Sequence, residues 1–104
     1  MFAVTGTWTM DLTMRQEQQA LLPALVEGVR HNPGFLHGYW CDDVIDSATS
    51  ITFIVFETLD QARAFRETVL ANAPAQAKSG VERGQLRIVR VQAEARGDDA
   101  LTTR

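Results

Sequence analysis

The stretch Ser50–Glu57, SITFIVFE, is apolar on both faces of a strand. Side chains alternate along a strand, so Ile51, Phe53 and Val55 point one way and Ile54 and Phe56 the other. An antiparallel sheet with one wet face carries polar residues at alternate positions. This strand does not, so both faces of its sheet are expected to be covered. The chain's own helices supply one cover, and a second copy of the chain most simply supplies the other.

Upstream of it, Phe35–Asp42 (FLHGYWCD) reads as a second strand, separated by the polar link Asp43–Thr49. So short a link implies an antiparallel hairpin. At the start of the chain, Phe2–Met10 alternates Phe2, Val4, Trp8 and Met10 with Thr5, Thr7 and Thr9, a strand pattern. Thr13 and Gln16 stand in capping-box spacing before a helix that carries Leu22, Leu25, Val26 and Val29 on one face. Pro23 is expected to kink or loosen that helix, and Asn32-Pro33-Gly34 to end it. Downstream, Thr58 and Gln61 repeat the capping spacing, and Ala62, Phe65, Val69 and Ala73 mark the buried face of a second helix. Ala75–Gln85 reads as loop with room for one helical turn, and Gln85–Ala93 as a last strand.

The order β-α-β-β-α-β, with right-handed crossovers, predicts a ferredoxin-like α+β domain over residues 1–93. Its four-stranded antiparallel sheet carries both helices on one face, with the first and third strands central. Residues 94–104 hold few apolar side chains and are expected to form a tail.

Composition narrows the function. The 104 residues are 45% hydrophobic and 22% charged, enough for one globular core that buries roughly two-thirds of the unfolded surface. A formal charge of −3 argues against nucleic acid as a partner. No apolar run reaches the roughly 18 residues of a membrane span, and no signal-peptide pattern opens the chain. The single Cys41 fits a reducing compartment, so a cytoplasmic location is expected.

Pro33-Gly34-Phe35 between helix and strand, the aromatic strand Gly38-Tyr39-Trp40, and FIVFETLDQARAF over residues 53–65 together resemble the antibiotic-biosynthesis-monooxygenase-like proteins of the dimeric α+β barrel superfamily. The resemblance implies a homodimer joined through the open sheet face, with a small pocket in each subunit between sheet and helices. It implies cofactor-free oxygenation of an aromatic or polyketide-like substrate. The alternative within the same fold is a non-catalytic dimer that binds a hydrophobic metabolite or a partner protein. The haem-degrading branch places asparagine, tryptophan and histidine where this chain has Gly6 and Thr7, Phe56, and Ala71 to Ala73, so haem breakdown is not implied.

His37 is the candidate proton acceptor, since an imidazole near its solution pKa can deprotonate a phenol or carbon acid. In a regular strand it shares a side with Phe35, Tyr39 and Cys41, and the other reading places it at a subunit interface. Trp8, Tyr39, Trp40, Thr7, Phe56 and Phe65 are candidates for lining a pocket for a flat aromatic ligand, or for serving simply as core. Two histidines and one cysteine supply no plausible zinc ligand set. Asp42, Asp43 and Asp46 lack the further ligands and turn glycine of a calcium loop.

Overall fold

A computed structural model describes residues 1–97 of the chain. The expected tail over 94–104 lies mostly outside them. The elements are β1 (Phe2–Met10), a 3-10 turn (Leu12–Met14), α1 (Arg15–Arg30), β2 (Phe35–Asp42), β3 (Thr49–Phe56), α2 (Leu59–Ala71), α3 (Ala73–Lys78) and β4 (Val81–Arg90). All strand pairs are antiparallel, in the order β2-β3-β1-β4, so β1 and β3 are central as the sequence pattern requires.

Strand alternation sorts the sheet into two faces. Phe2, Val4, Gly6 and Trp8 of β1 lie with Thr52, Ile54 and Phe56 of β3, and with Leu86 and Ile88 of β4, on the helix side. There Val4, Val29, Ile54, Phe56, Ala62 and Phe65 form the core, with Phe56 fully buried and the Phe56 and Phe65 rings 5.0 Å apart. The other face presents Ala3, Thr5, Thr7 and Thr9 with Ile51, Phe53 and Val55. Ala3 and Val55 are already buried there, whereas Ile51, Phe53 and Val89 remain 42%, 39% and 39% exposed.

The helix ends have specific causes. Thr58 and Gln61 close a reciprocal capping box at α2, which satisfies two otherwise orphaned N–H groups. The expected Thr13–Gln16 box does not form. Asp11 takes that role: it accepts from the Thr13 N–H at 3.0 Å and from the Thr13 hydroxyl at 2.6 Å, so the hydroxyl is spent as a donor. α1 runs unbroken through Pro23, but its first half packs loosely. Only Val29 of α1 is buried, and Leu21, Leu22 and Leu25 keep 56%, 39% and 52% exposure. The one helical turn allowed for in the expected loop occurs as α3, which starts two residues ahead of that loop at Ala73, and Ala73 is exposed rather than part of a buried face. β4 begins four residues earlier than its apolar pattern suggests, because a register shift opposite Gly6–Trp8 absorbs Gly84 and Gln85.

Candidate functional site

Two Gly-x-Trp triplets set the two indoles on the helix side of the sheet. In Gly6-Thr7-Trp8 of β1, a side chain two residues back would share the face of Trp8 and block its ring. Because residue 6 is glycine, the indole folds over it: a Cβ there would stand 2.9 Å from Trp8 Nε1. From that position Nε1 donates to Thr52 Oγ1 on β3 at 3.1 Å. Gly38-Tyr39-Trp40 of β2 repeats the device, since a Cβ on Gly38 would stand 3.3 Å from Trp40 Cζ3. Trp40 is the cross-strand partner of Thr52, and Gly6 is its partner on the other side. The two indoles therefore flank Thr52 on the helix side of the sheet. Trp8 is 9% exposed and Trp40 partly buried.

The hydrogen bond from Trp8 uses a lone pair of the Thr52 hydroxyl and leaves its proton as a donor. Accepting one bond strengthens the hydroxyl as donor of the next. The part-buried Thr52 hydroxyl thus keeps one proton to donate. At the far end of this face, Asp42 on β2 is held by Arg15 of α1 at 3.2 Å, so its carboxylate is neutralised by an ion pair.

The remaining sequence candidates are distributed differently. A register shift between Phe35 and His37 puts Phe35 on the helix side, edge-on to Phe56 with ring centroids 6.3 Å apart. His37 pairs with Val55 on the opposite face, where its ring meets Tyr39 at 6.0 Å. His37 and Phe35 thus do not share a side, and His37 does not face the space between sheet and helices. Tyr39 lies on the same open face and is 60% exposed. The Thr7 hydroxyl accepts from the Gln85 N–H at 2.9 Å and is engaged in the β1–β4 irregularity. Phe56 and Phe65 pack on each other within the core. Of the seven candidates, Trp8, Trp40, Phe56 and Phe65 lie on the helix side, where Trp40 packs against the core that holds Phe56 and Phe65; Thr52, which the sequence pattern does not single out, lies across from Trp40 and accepts from Trp8.

Other chemistry-bearing groups serve the backbone. The Asp43 carboxylate accepts from the N–H groups of Asp46 and Ile45, and these bonds hold its pKa below the ordinary carboxylate value. His31 Nδ1 lies 2.7 Å from the Glu27 carbonyl oxygen at the end of α1. Among the described residues no three His, Cys, Asp or Glu side chains converge to hold a metal ion, and no helix is long and apolar enough to cross a membrane.

No protein-family model matches the chain, and no curated protein sequence does. Solved structures do. SnoaB, a cofactor-independent oxygenase from Streptomyces nogalater, matches with a TM-score of 0.71 at 12% identity, over 89% of this chain and 94% of its own. MhuD, a heme-degrader from Mycobacterium tuberculosis, matches with a TM-score of 0.71 at 14% identity, over 91% and 99%. A Deinococcus radiodurans protein, provisionally assigned as an antibiotic biosynthesis monooxygenase, matches with a TM-score of 0.69 at 16% identity, over 94% and 97%. This chain has the fold of the antibiotic-biosynthesis-monooxygenase-like proteins; identities this low carry the fold and not the activity.

Proposed function

We propose that the chain is a homodimeric, cofactor-independent monooxygenase of the antibiotic-biosynthesis type, acting on a flat aromatic substrate laid against Trp8, Trp40 and Thr52. The observation that carries the reading is the Trp8 indole, turned over Gly6 and bonded to Thr52 at 3.1 Å. Aromatic surfaces on either side of one hydroxyl donor suit a fused ring that bears an oxygen. SnoaB, of the same fold, is a cofactor-independent oxygenase. In the reaction proposed, the substrate's own enolate or phenolate reduces molecular oxygen. A ring CH2 and O2 become a C=O and one water, so no outside reductant is needed. Thr52 donates to the developing oxyanion, and the indoles orient the ring and exclude water.

The dimer belongs to the same proposal. Ile51, Phe53 and Val89 leave an apolar strip on the face away from the helices, and a second copy of this face covers it. The lone Cys41, exposed on that face, supports a reducing cytoplasmic setting.

Aerobic incubation with an anthrone, followed by oxygen uptake and product absorbance, tests the activity. Oxygen consumed in proportion to quinone formed, and reduced at least tenfold by Thr52→Val, supports it. An anthrone that binds and is recovered unchanged overturns catalysis and leaves the second reading, a non-catalytic binder. One observation favours that second reading: His37, the base singled out by sequence, sits on the opposite face from Trp8, Trp40 and Thr52.

A further inference from the structure

The β2–β3 hairpin turns through residues 43–48, and its apex carries the two most exposed large apolar side chains among the described residues, Val44 at 99% and Ile45 at 94%. Neither packs on its own chain. Turn apices ordinarily hold Gly, Asn, Asp or Ser, so two adjacent β-branched aliphatics add nothing to the fold of a single copy. The loop that carries them is nevertheless fixed. Asp43 Oδ1 accepts from the Ile45 and Asp46 N–H groups at 2.8 and 2.9 Å, and the Asp46 carboxylate accepts from the Ala48 N–H at 3.2 Å and the Thr49 hydroxyl at 2.8 Å. Arg15 of α1 adds a bond to the Ser47 carbonyl at 3.3 Å. A loop already held in one shape loses little entropy on docking.

Continuity, area and charge point to the same cover. On the face away from the helices, exposure along β3 rises toward the apex, from 2% at Val55 to 39% at Phe53 and 42% at Ile51. The Asp43 N–H donates to the Thr49 carbonyl at 2.9 Å and carries the β2–β3 ladder up to the loop, so strip and apex are continuous. A stable dimer buries about 800 Å² per subunit, of which about 450 Å² is apolar. Ile51, Phe53, Val89 and the exposed Tyr39 offer roughly 300 Å² of that on the open face. Val44 and Ile45 add roughly 200 Å², which makes up the shortfall. Asp43 and Asp46 make the apex acidic, which opposes an anionic lipid surface and also apex-on-apex contact. Arg87, on the open face of β4, has no ion pair among the described residues and is the charge complement that a second copy brings.

We propose that the hairpin apex of each subunit clasps a second copy of the chain, with Val44 and Ile45 laid on the partner's open sheet face and the acidic loop beside the partner's Arg87. The proposal rests on the homodimer of the proposed function and adds to it a clasp outside the sheet. Two-fold symmetry forms the clasp twice. Without it the sheet faces alone fall short of a stable interface.

The test is sedimentation velocity over a dilution series of the full chain, the double variant Val44→Ser with Ile45→Ser, and Arg87→Gln. The double variant is expected to raise the dimer Kd about a hundredfold, and Arg87→Gln about tenfold with a weaker dependence on salt. Both should fold, since neither apex side chain packs on its own chain; circular dichroism melts in a Phe53→Asp background, where dimerisation is removed, check this. Hydrogen exchange supplies a second reading: amides 44–48 should exchange more slowly in the dimer than in Phe53→Asp. A double variant as tightly dimeric as the wild type, or apex exchange that dimerisation leaves unchanged, overturns the clasp and leaves the dimer standing. In that case, wild type that cosediments with phosphatidylglycerol vesicles, while the double variant does not, assigns the apex to a lipid surface instead. An Arg87→Gln dimer of unchanged affinity overturns the placement on the open face. A monomeric wild type overturns the homodimer itself.

Discussion

Phe53 and Ile54 are neighbours on β3 that face opposite ways, and an aspartate at each separates the two covers of the sheet. Ile54 is 2% exposed and packs in the core with Val4, Phe56 and Phe65. A carboxylate there loses its hydration without a partner and must neutralise or unfold the chain. The combined loss of apolar burial and gain of an unpaired charge exceeds about 4 kcal/mol, a large part of the roughly 5–15 kcal/mol that holds a small domain folded. Phe53 is different: 39% of it remains exposed in the single chain. For a phenyl side chain of roughly 200 Å², that is about 80 Å² still to be covered, worth about 2 kcal/mol at ~25 cal/mol per Å². In a two-fold dimer the contact occurs twice, so Phe53→Asp forfeits about 4 kcal/mol of association, or about three orders of magnitude in Kd. Light scattering coupled to size exclusion, with circular dichroism melts on the same samples, reads both effects. The expected outcome is a folded, dissociated Phe53→Asp and an unfolded Ile54→Asp. A Phe53→Asp variant that stays dimeric at low micromolar concentration would refute the open-face interface. A well-folded Ile54→Asp would refute the core assignment.

Trp8→Phe keeps a ring over Gly6 but removes the indole donor. It should cost about 1 kcal/mol of stability and abolish the restriction that the 3.1 Å bond places on the Thr52 hydroxyl, seen as a lower melting temperature and weaker binding of an aromatic ligand. His37→Ala should leave any turnover within about twofold, because the residue faces away from Trp8, Trp40 and Thr52; a loss approaching the hundredfold typical of a removed general base would restore it as the proton acceptor. Gly34→Ala should destabilise the fold by about 1–2 kcal/mol, since Gly34 has φ +79° and a Cβ there runs into the Gln61 amide that caps α2; a chemical melt equal to wild type would contradict this. Hydrogen bonds to Thr13 lower the Asp11 pKa, and the N–H groups of Asp46 and Ile45 lower that of Asp43, each from 3.8. A folded pKa below the unfolded one contributes stability above the unfolded value, lost as pH falls through the folded value. Melting temperature should therefore fall with acidification below about pH 4, and Asp11→Asn with Asp43→Asn should flatten that limb.

The architecture was legible where burial imposes a period. β1 and β2 occur at the expected residues because apolar and polar positions alternate along them, and β3 is shifted by a single residue at each end. The Thr58–Gln61 box was legible because its two side chains are both local to the helix end. The site was less so. His37 was assigned the side of Phe35 by strict alternation, but Leu36 sits in a register irregularity that turns Phe35 to the other face. No glycine or proline marks that position, so nothing in the chain announced it. Thr52 was overlooked because a lone hydroxyl in an apolar strand reads as tolerated polarity. Its meaning depends on which residues pair across to it, a long-range fact. The signal that was available is the repeated Gly-x-Trp triplet, where a missing Cβ makes room for an indole.

Native mass spectrometry of the untagged chain, purified without added ligand and then mixed with an anthrone, most directly tests the central claim that one sheet face binds a flat aromatic while the other joins two subunits. The expected spectrum is a dimer that takes up one small molecule per subunit, with uptake lost in Trp8→Ala. A monomer, or a dimer that takes up the anthrone equally well without Trp8, would contradict it.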